Sequence, residues 1–233
     1  METYGHRGAK GVVMENSLLG FTLAASQGVD RFELDIRLSS DNQLMVVHDE
    51  KLLRLANSPL AVSKSKAQLL SQTHLKGIDQ GIPTLEEVVS ACPNVLHWQF
   101  EIKTQSSNPK FIRPMKRLID KFSLHEKVVI TSKHVGMLRV FQRILPNIPR
   151  GYVQEWPIPS GIRTAQKLNC KLLALNIKLA SKRRIKKAQS LGLCVCVWTV
   201  NSRDDLEKLR ANGADSIISD YPQMAREHLS NSR

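Results

Sequence analysis

The chain has 233 residues, 42% of them hydrophobic and 24% charged, a globular balance that excludes a disordered, collagen-like or disulfide-scaffold protein. Its 34 lysines and arginines outnumber 21 aspartates and glutamates, a net charge of +13, which favours anionic partners: phosphate esters, nucleic acid or lipid head groups. No run approaches the ~18 uninterrupted apolar residues of a spanning helix, so no transmembrane segment is expected. Residues 1–11 read as a strand entering a loop, not as an export leader, and the expected compartment is cytoplasmic.

In chain order, short β-type runs alternate with amphipathic helical runs. The predicted strands are 3–5, 31–37, 95–103, 127–132, 151–154, 171–176, 193–200 and 216–219; the predicted helices are 16–27, 109–122, 135–144, 159–168, 181–190, 202–212 and 222–229. Ser202 is suited to cap the sixth of these helices, with Asp204 and Asp205 in its first turn and Gly213 just beyond its last. Gly28 and Gly192 end their helices in the same way. Eight strands, each followed by a helix, predict parallel βα units. The fold class is α/β, a TIM-type (β/α)8 barrel with its helices outside. One region breaks the rhythm: 42–48 reads as a further short strand, 52–79 is polar, and Pro83-Thr84-Leu85-Glu86-Glu87 opens the next helix. The expectation is a single barrel domain over 1–233, with about 50–80 a small insertion on the active-site face, too short for a core of its own.

Cys92, Cys170, Cys194 and Cys196 form no CxxC or Cys/His cluster. The alternation of Cys194 and Cys196 with valines predicts buried free thiols on one strand face. Between 156 and 203 there is no carboxylate, while Lys182, Arg183, Arg184, Lys186 and Lys187 crowd one segment; most such runs are the solvated face of a helix.

Parallel barrel strands are buried on both faces and should be nearly all apolar, yet three carry charge. A period of two puts Glu33 and Asp35 on one face of the second strand, and Glu101 and Lys103 on one face of the third. The first strand runs into His6-Arg7-Gly8. Three buried acids are costly and repel one another, so a positive partner is required. Arg7 and Lys103 supply part of it, and a divalent cation is the cheaper remainder. All-oxygen ligation by Glu33, Asp35 and Glu101 points to Mg²⁺ or Ca²⁺ over Zn²⁺. The competing reading is an outward-facing salt-bridge ladder. His6 and His48, each at a strand end, read as a general acid/base pair, although a lone histidine is more often structural. His74, His97, His125, His134 and His228 read as surface or packing residues.

His6-Arg7-Gly8, Glu15-Asn16 with Phe21 and Ala24, Glu33-Leu34-Asp35, Asp41, His48-Asp49 with Arg54, and Pro83-Thr84-Leu85-Glu86-Glu87 resemble, in order, the glycerophosphodiester phosphodiesterases. Glu101-Ile102-Lys103, Trp198-Thr199-Val200-Asn201, Gly213-Ala214-Asp215 and Ser219-Asp220-Tyr221-Pro222 extend the resemblance across essentially the whole chain. It implies a barrel that hydrolyses glycerophosphodiesters, small-molecule substrates, to sn-glycerol 3-phosphate and an alcohol. By position, Glu33, Asp35 and Glu101 match divalent-metal ligands, His6 and His48 the acid/base histidines, Arg7 and Lys103 phosphate-contacting cations, and Trp198 an aromatic lining the glycerol side. The departures are Met14, Ser17, Gln99 and Ser132-Lys133-His134, none at a matched ligand or histidine.

The implied chemistry leaves open which histidine is acid and which is base, and whether water or a neighbouring glycerol hydroxyl attacks. Trp198 could also be ordinary barrel packing. A related barrel phospholipase-like phosphodiesterase is the nearest rival; the missing membrane-docking helix argues against it. A non-catalytic anion- or nucleic-acid-binding barrel rests only on the carboxylate-free stretch, and no recognition motif or basic–aromatic interleaving supports it.

Overall fold

The computed structural model describes residues 1–104, 106–157 and 160–231. In chain order its elements are β1 (Glu2–His6), α1 (Leu18–Ser26), β2 (Arg31–Leu38), β3 (Leu44–Val46), α2 (Leu53–Ala56), α3 (Ala67–Ser71), α4 (Leu85–Ala91), β4 (His97–Ile102), α5 (Ile112–Lys121), β5 (Val128–Ser132), α6 (Val135–Ile144), β6 (Arg150–Gln154), α7 (Gly161–Lys167), β7 (Leu172–Asn176), α8 (Lys182–Gln189), β8 (Cys194–Trp198), α9 (Arg203–Asn212), β9 (Ser216–Ser219) and α10 (Pro222–Asn231). β1 pairs in parallel with both β2 and β9, and the intervening parallel pairs close an eight-stranded barrel, the predicted TIM-type architecture. β1 ends at the level of Glu33; above it β3 takes the vacated edge of β2 antiparallel, Ile36 opposite Val46. The predicted helix start at Pro159 lies outside the described residues.

The strands bury two different faces. Phe32, Leu34, Ile36, Trp98, Phe100 and Ile102 point outward and pack with Phe21, Val88, Met115 and Phe141 of the helices. Each such side chain contributes ~1.5–3 kcal/mol by leaving water. Inside, Tyr4, Val129, Val153, Leu172, Ala174, Cys196 and Ile218 form an apolar plug. The plug occupies the lower barrel, so inward-facing polar side chains collect at the C-terminal strand ends.

Two expectations need correction. Cys196 is buried but Cys194 is exposed, because it shares the inward face yet sits at the first residue of β8, on the open bottom rim. The segment between β3 and α4 does have an apolar cluster: Leu52, Leu55, Val62, Ala67, Leu70, Leu75 and Ile82 pack on Met45 and Val47. It succeeds despite its length because Met45 of β3 and Val47 just beyond that strand lend it two fully buried side chains. Among the described residues no helix is long and apolar enough to cross a membrane.

Candidate active site

β1 delivers His6 to the C-terminal rim, where Arg7 and Gly8 turn the chain with φ of 51° and 87°. A Cβ at Gly8 would lie 2.8 Å from the Gly20 backbone, so the turn presses on α1 and tolerates only glycine. Since Phe32, Leu34 and Ile36 face the helices, Glu33 and Asp35 must face the axis; the same parity turns Gln99 and Glu101 inward. Register then sets Asp35 opposite Glu101 and His6 opposite Glu33.

One carboxylate oxygen from each of Glu33, Asp35 and Glu101 lies within 4.8 Å of the others. The three residues are 4%, 0% and 8% exposed, which rejects the outward-facing ladder. Lys103 Nζ is 2.8 Å from Glu101 Oε1 and 3.3 Å from Asp35 Oδ1. Arg7 Nε forms an ion pair with Asp35 Oδ2 at 2.9 Å, and that oxygen accepts a hydrogen bond from Asn16 Nδ2 at 2.9 Å. Arg7 and Lys103 pair with Asp35 and Glu101, so Glu33 is the acid left without a cation beside it. Burial, then the Asp35 and Glu101 charges, push the Glu33 carboxyl well above its ordinary range. Burial acts the same way on Asp35, but Arg7 and Lys103 outweigh it and hold that carboxyl low. Glu33 Oε2 and Asp35 Oδ1 are buried acceptors that close no hydrogen bond, Asp35 Oδ1 having only the Lys103 charge near it. Such atoms are costly, and hard oxygen donors of this kind fit Mg²⁺ or Ca²⁺.

Each expected histidine has its own carboxylate. His6 Nδ1 lies 2.5 Å from Asp220 Oδ1, leaving Nε2 3.8 Å from Glu33 Oε2. Asn201 fixes Asp220: its Nδ2 donates to Asp220 Oδ2 at 2.7 Å and its Oδ1 accepts from the Asp220 backbone at 2.9 Å. Burial would raise the Asp220 pKa, but the bond to His6 and the His6 charge dominate and bring it to about 2. Burial lowers the His6 pKa despite that bond, favouring the neutral ring.

His48 Nδ1 lies 2.6 Å from Asp49 Oδ1, and Asp49 Oδ2 accepts from Arg54 Nε at 2.6 Å. Arg54 also grips Glu15 with Nη1 and Nη2 at 3.0 and 2.7 Å, and Glu15 accepts from Arg7 Nη1 at 2.8 Å. Arg37 donates to the His48 carbonyl at 2.7 Å and to the Lys103 carbonyl at 3.2 Å, anchoring both backbones.

His6, Arg7, Glu33, His48, Glu101, Lys103 and Trp198 line one cleft of about 250 Å³, with Asp35 beneath it. Trp198 both packs on the apolar plug and lines the cleft, and its buried Nε1 has no acceptor. Lys133 and Glu155 also line the cleft, paired at 3.0 Å. The other five histidines do not line it; His97 Nδ1, for example, hydrogen-bonds with Tyr4 Oη at 2.9 Å. Sequence reasoning gave no roles to Asp220, Asn201, Asp49, Arg54 and Arg37. The first four lie inside quoted motifs, the one signal that could have found them.

Fold and site together define a (β/α)8-barrel enzyme with paired, carboxylate-backed histidines beside a buried acidic cluster. The model of the glycerophosphoryl diester phosphodiesterase family matches residues 6–224, and the chain belongs to that family. It is 28% identical to a Bacillus altitudinis glycerophosphodiester phosphodiesterase over 233 residues, 95% of each chain. It is 25% identical to human lysophospholipase D GDPD1 over 270 residues, 97% of this chain and 85% of that one. Among solved structures, an Oleispira antarctica phosphodiesterase in complex with the product sn-glycerol-3-phosphate superposes with a TM-score of 0.92 at 22% identity, covering 99% of this chain and 97% of that one.

Proposed function

We propose that the protein is a metal-dependent phosphodiesterase that hydrolyses glycerophosphodiesters to sn-glycerol 3-phosphate and an alcohol. The observation that carries this is the meeting, in one small cleft, of three buried acids, two cations and two histidines each backed by an aspartate. Family membership agrees, as does the product bound to the Oleispira relative.

Glu33, Asp35 and Glu101 would hold one divalent cation, Mg²⁺ or Ca²⁺; bound there, it offsets their repulsion and polarises a phosphoryl oxygen. Charge supports the assignment. Three carboxylates, Arg7, Lys103 and a divalent ion sum to one positive charge, which the single negative charge of a phosphodiester cancels. Arg7 and Lys103, tethered to Asp35, keep further N–H donors for the phosphoryl oxygens and stabilise charge as it develops. Asp220 and Asp49 each hold one ring nitrogen of a histidine, so that Nε2 of His6 and of His48 is free to handle protons. One removes a proton from the attacking hydroxyl or water and the other protonates the leaving alcohol oxygen, each contributing typically ~10²–10⁴-fold. Trp198 offers an apolar wall and one N–H to the glycerol side. The chain is read as one catalytic domain over 1–233, with the segment of about 50–80 as an insertion serving His48.

The test is turnover of a glycerophosphodiester panel (choline, ethanolamine, inositol and glycerol esters) coupled to glycerol 3-phosphate detection, beside lysophosphatidylcholine and phosphatidylcholine. The proposal expects glycerol 3-phosphate from at least one soluble diester. Activity confined to the phospholipids would assign the site to a phospholipase instead.

A further inference from the structure

The carboxylate-free stretch is not scattered over the barrel. Helix N-termini in this fold lie on the same side as the C-terminal strand ends, so the first turns of α7 and α8 flank the active-site rim. From those first turns down to the last turn of α8 an open groove of about 930 Å³ runs between the two helices, lined by the cations Arg163, Lys178, Arg183, Arg184 and Lys187 and by Leu179. Among the described residues Arg163, Lys178, Arg183 and Lys187 are exposed and join no ion pair.

Helix stability does not explain this placement. α8 begins Lys182-Arg183-Arg184 with no acid in its first turn, the reverse of what the helix dipole favours. α9 has the favoured arrangement, Asp204 and Asp205. The groove is also not purely polar. Trp156 is 67% and Leu191 40% exposed, and Leu191 lines the groove itself. Gln154 joins the two features: its Nε2 donates to the Trp156 carbonyl at 3.0 Å and its Oε1 accepts from Arg184 Nη2 at 2.9 Å. Glu155, the neighbour of Trp156, lines the catalytic cleft. Trp156 therefore stands on a strip between the cleft mouth, which its neighbour Glu155 lines, and the cationic groove, whose Arg184 shares Gln154 with it.

We propose that this strip docks the protein on an anionic lipid bilayer, with the α7–α8 cations against the head groups and Trp156 in the interface. Clustered cations beside an exposed aromatic are what an anionic interface selects. A nucleic-acid duplex would use the cations but not Trp156 and Leu191. Docking rests on the surface alone and stands or falls separately from the assigned activity.

The experiment is cosedimentation of the whole protein with phosphatidylcholine vesicles, with and without phosphatidylglycerol. The protein should pellet only with the anionic vesicles and be released at about 0.5 M salt. Combining Lys178→Glu, Arg183→Glu and Lys187→Glu should weaken binding by about 10-fold or more. The same number of reversals on the opposite rim, at the last turns of α5 and α6 and just before β5, Lys121→Glu, Arg143→Glu and Lys127→Glu, should change it less than about 2-fold. Wild-type tryptophan emission should shift to the blue on anionic vesicles, and Trp156→Phe should lose the shift, a readout independent of the charge variants. Failure to pellet, equal loss in the opposite-rim variant, an unchanged shift in Trp156→Phe, or tighter binding to duplex DNA than to the vesicles would each overturn the proposal.

Discussion

Asp220 reaches His6 across 214 positions of sequence, and Asn201 keeps it in place. A carboxylate at Nδ1 fixes the tautomer and ring orientation that proton transfer needs. His6→Ala and His48→Ala should each lower kcat by about 10²–10⁴-fold, and Asp220→Asn by up to about 10⁴-fold, with unchanged circular dichroism. Near-normal turnover in either histidine variant removes that residue from the acid/base role. A second residue-scale prediction concerns His97. Burial first, then the Arg31 charge, lower its pKa from 6.5 to about 4, so the folded state favours the neutral ring. As pH falls below 6.5 the unfolded chain binds a proton that the folded one refuses. Stability is therefore full above that value and drains away down to about 4. His97→Gln should remove up to about 3 kcal/mol of this acid-side loss, read as the difference between wild-type and variant urea denaturation curves across that range. Parity made Glu33, Asp35 and Glu101 legible in the sequence, because a charge on a buried strand announces itself. The partners of His6 were not, because barrel closure brings them together and no local pattern encodes it.

At the level of elements, the segment after β3 is the informative one. Its polar composition suggested a loop without a core, yet Met45 and Val47 seed an apolar cluster under it. That cluster sets α2 where Arg54 can bridge Asp49 and Glu15, and through them His48 and Arg7. Arg54 is half exposed, so its ion pairs add little to stability; its effect is to position. Arg54→Ala should lower kcat by about 10-fold, since small displacements of reacting groups are costly. It should leave the melting temperature within a few degrees, and Arg54→Lys should not rescue, because the grip on Glu15 is two-pronged. A melting temperature that collapses with activity would make Arg54 a structural residue. The barrel strands themselves were readable from alternation alone. Their ends were less so: the strand predicted at 193–200 stops at Trp198.

Across the whole molecule, the barrel separates its two jobs by height. An apolar plug fills the lower interior, and charge collects above it, where loops converge. The cost of holding three acids there is carried by the fold, so anything that neutralises them should stabilise it. Adding Mg²⁺ or Ca²⁺ at ~100 times its dissociation constant should raise the melting temperature of chelator-treated protein by about 5 °C, and Glu33→Gln should shrink that rise. The overall architecture was legible because eight β-type runs recur with helices between them; the basic α7–α8 face was visible as composition but not as a place.

The most direct test of the acidic cluster as a cation site is glycerophosphocholine turnover after exhaustive chelation. The account predicts no turnover in the stripped protein and recovery on adding Mg²⁺ or Ca²⁺, with Glu33→Gln and Glu101→Gln failing to recover. Full activity in metal-free buffer would contradict it.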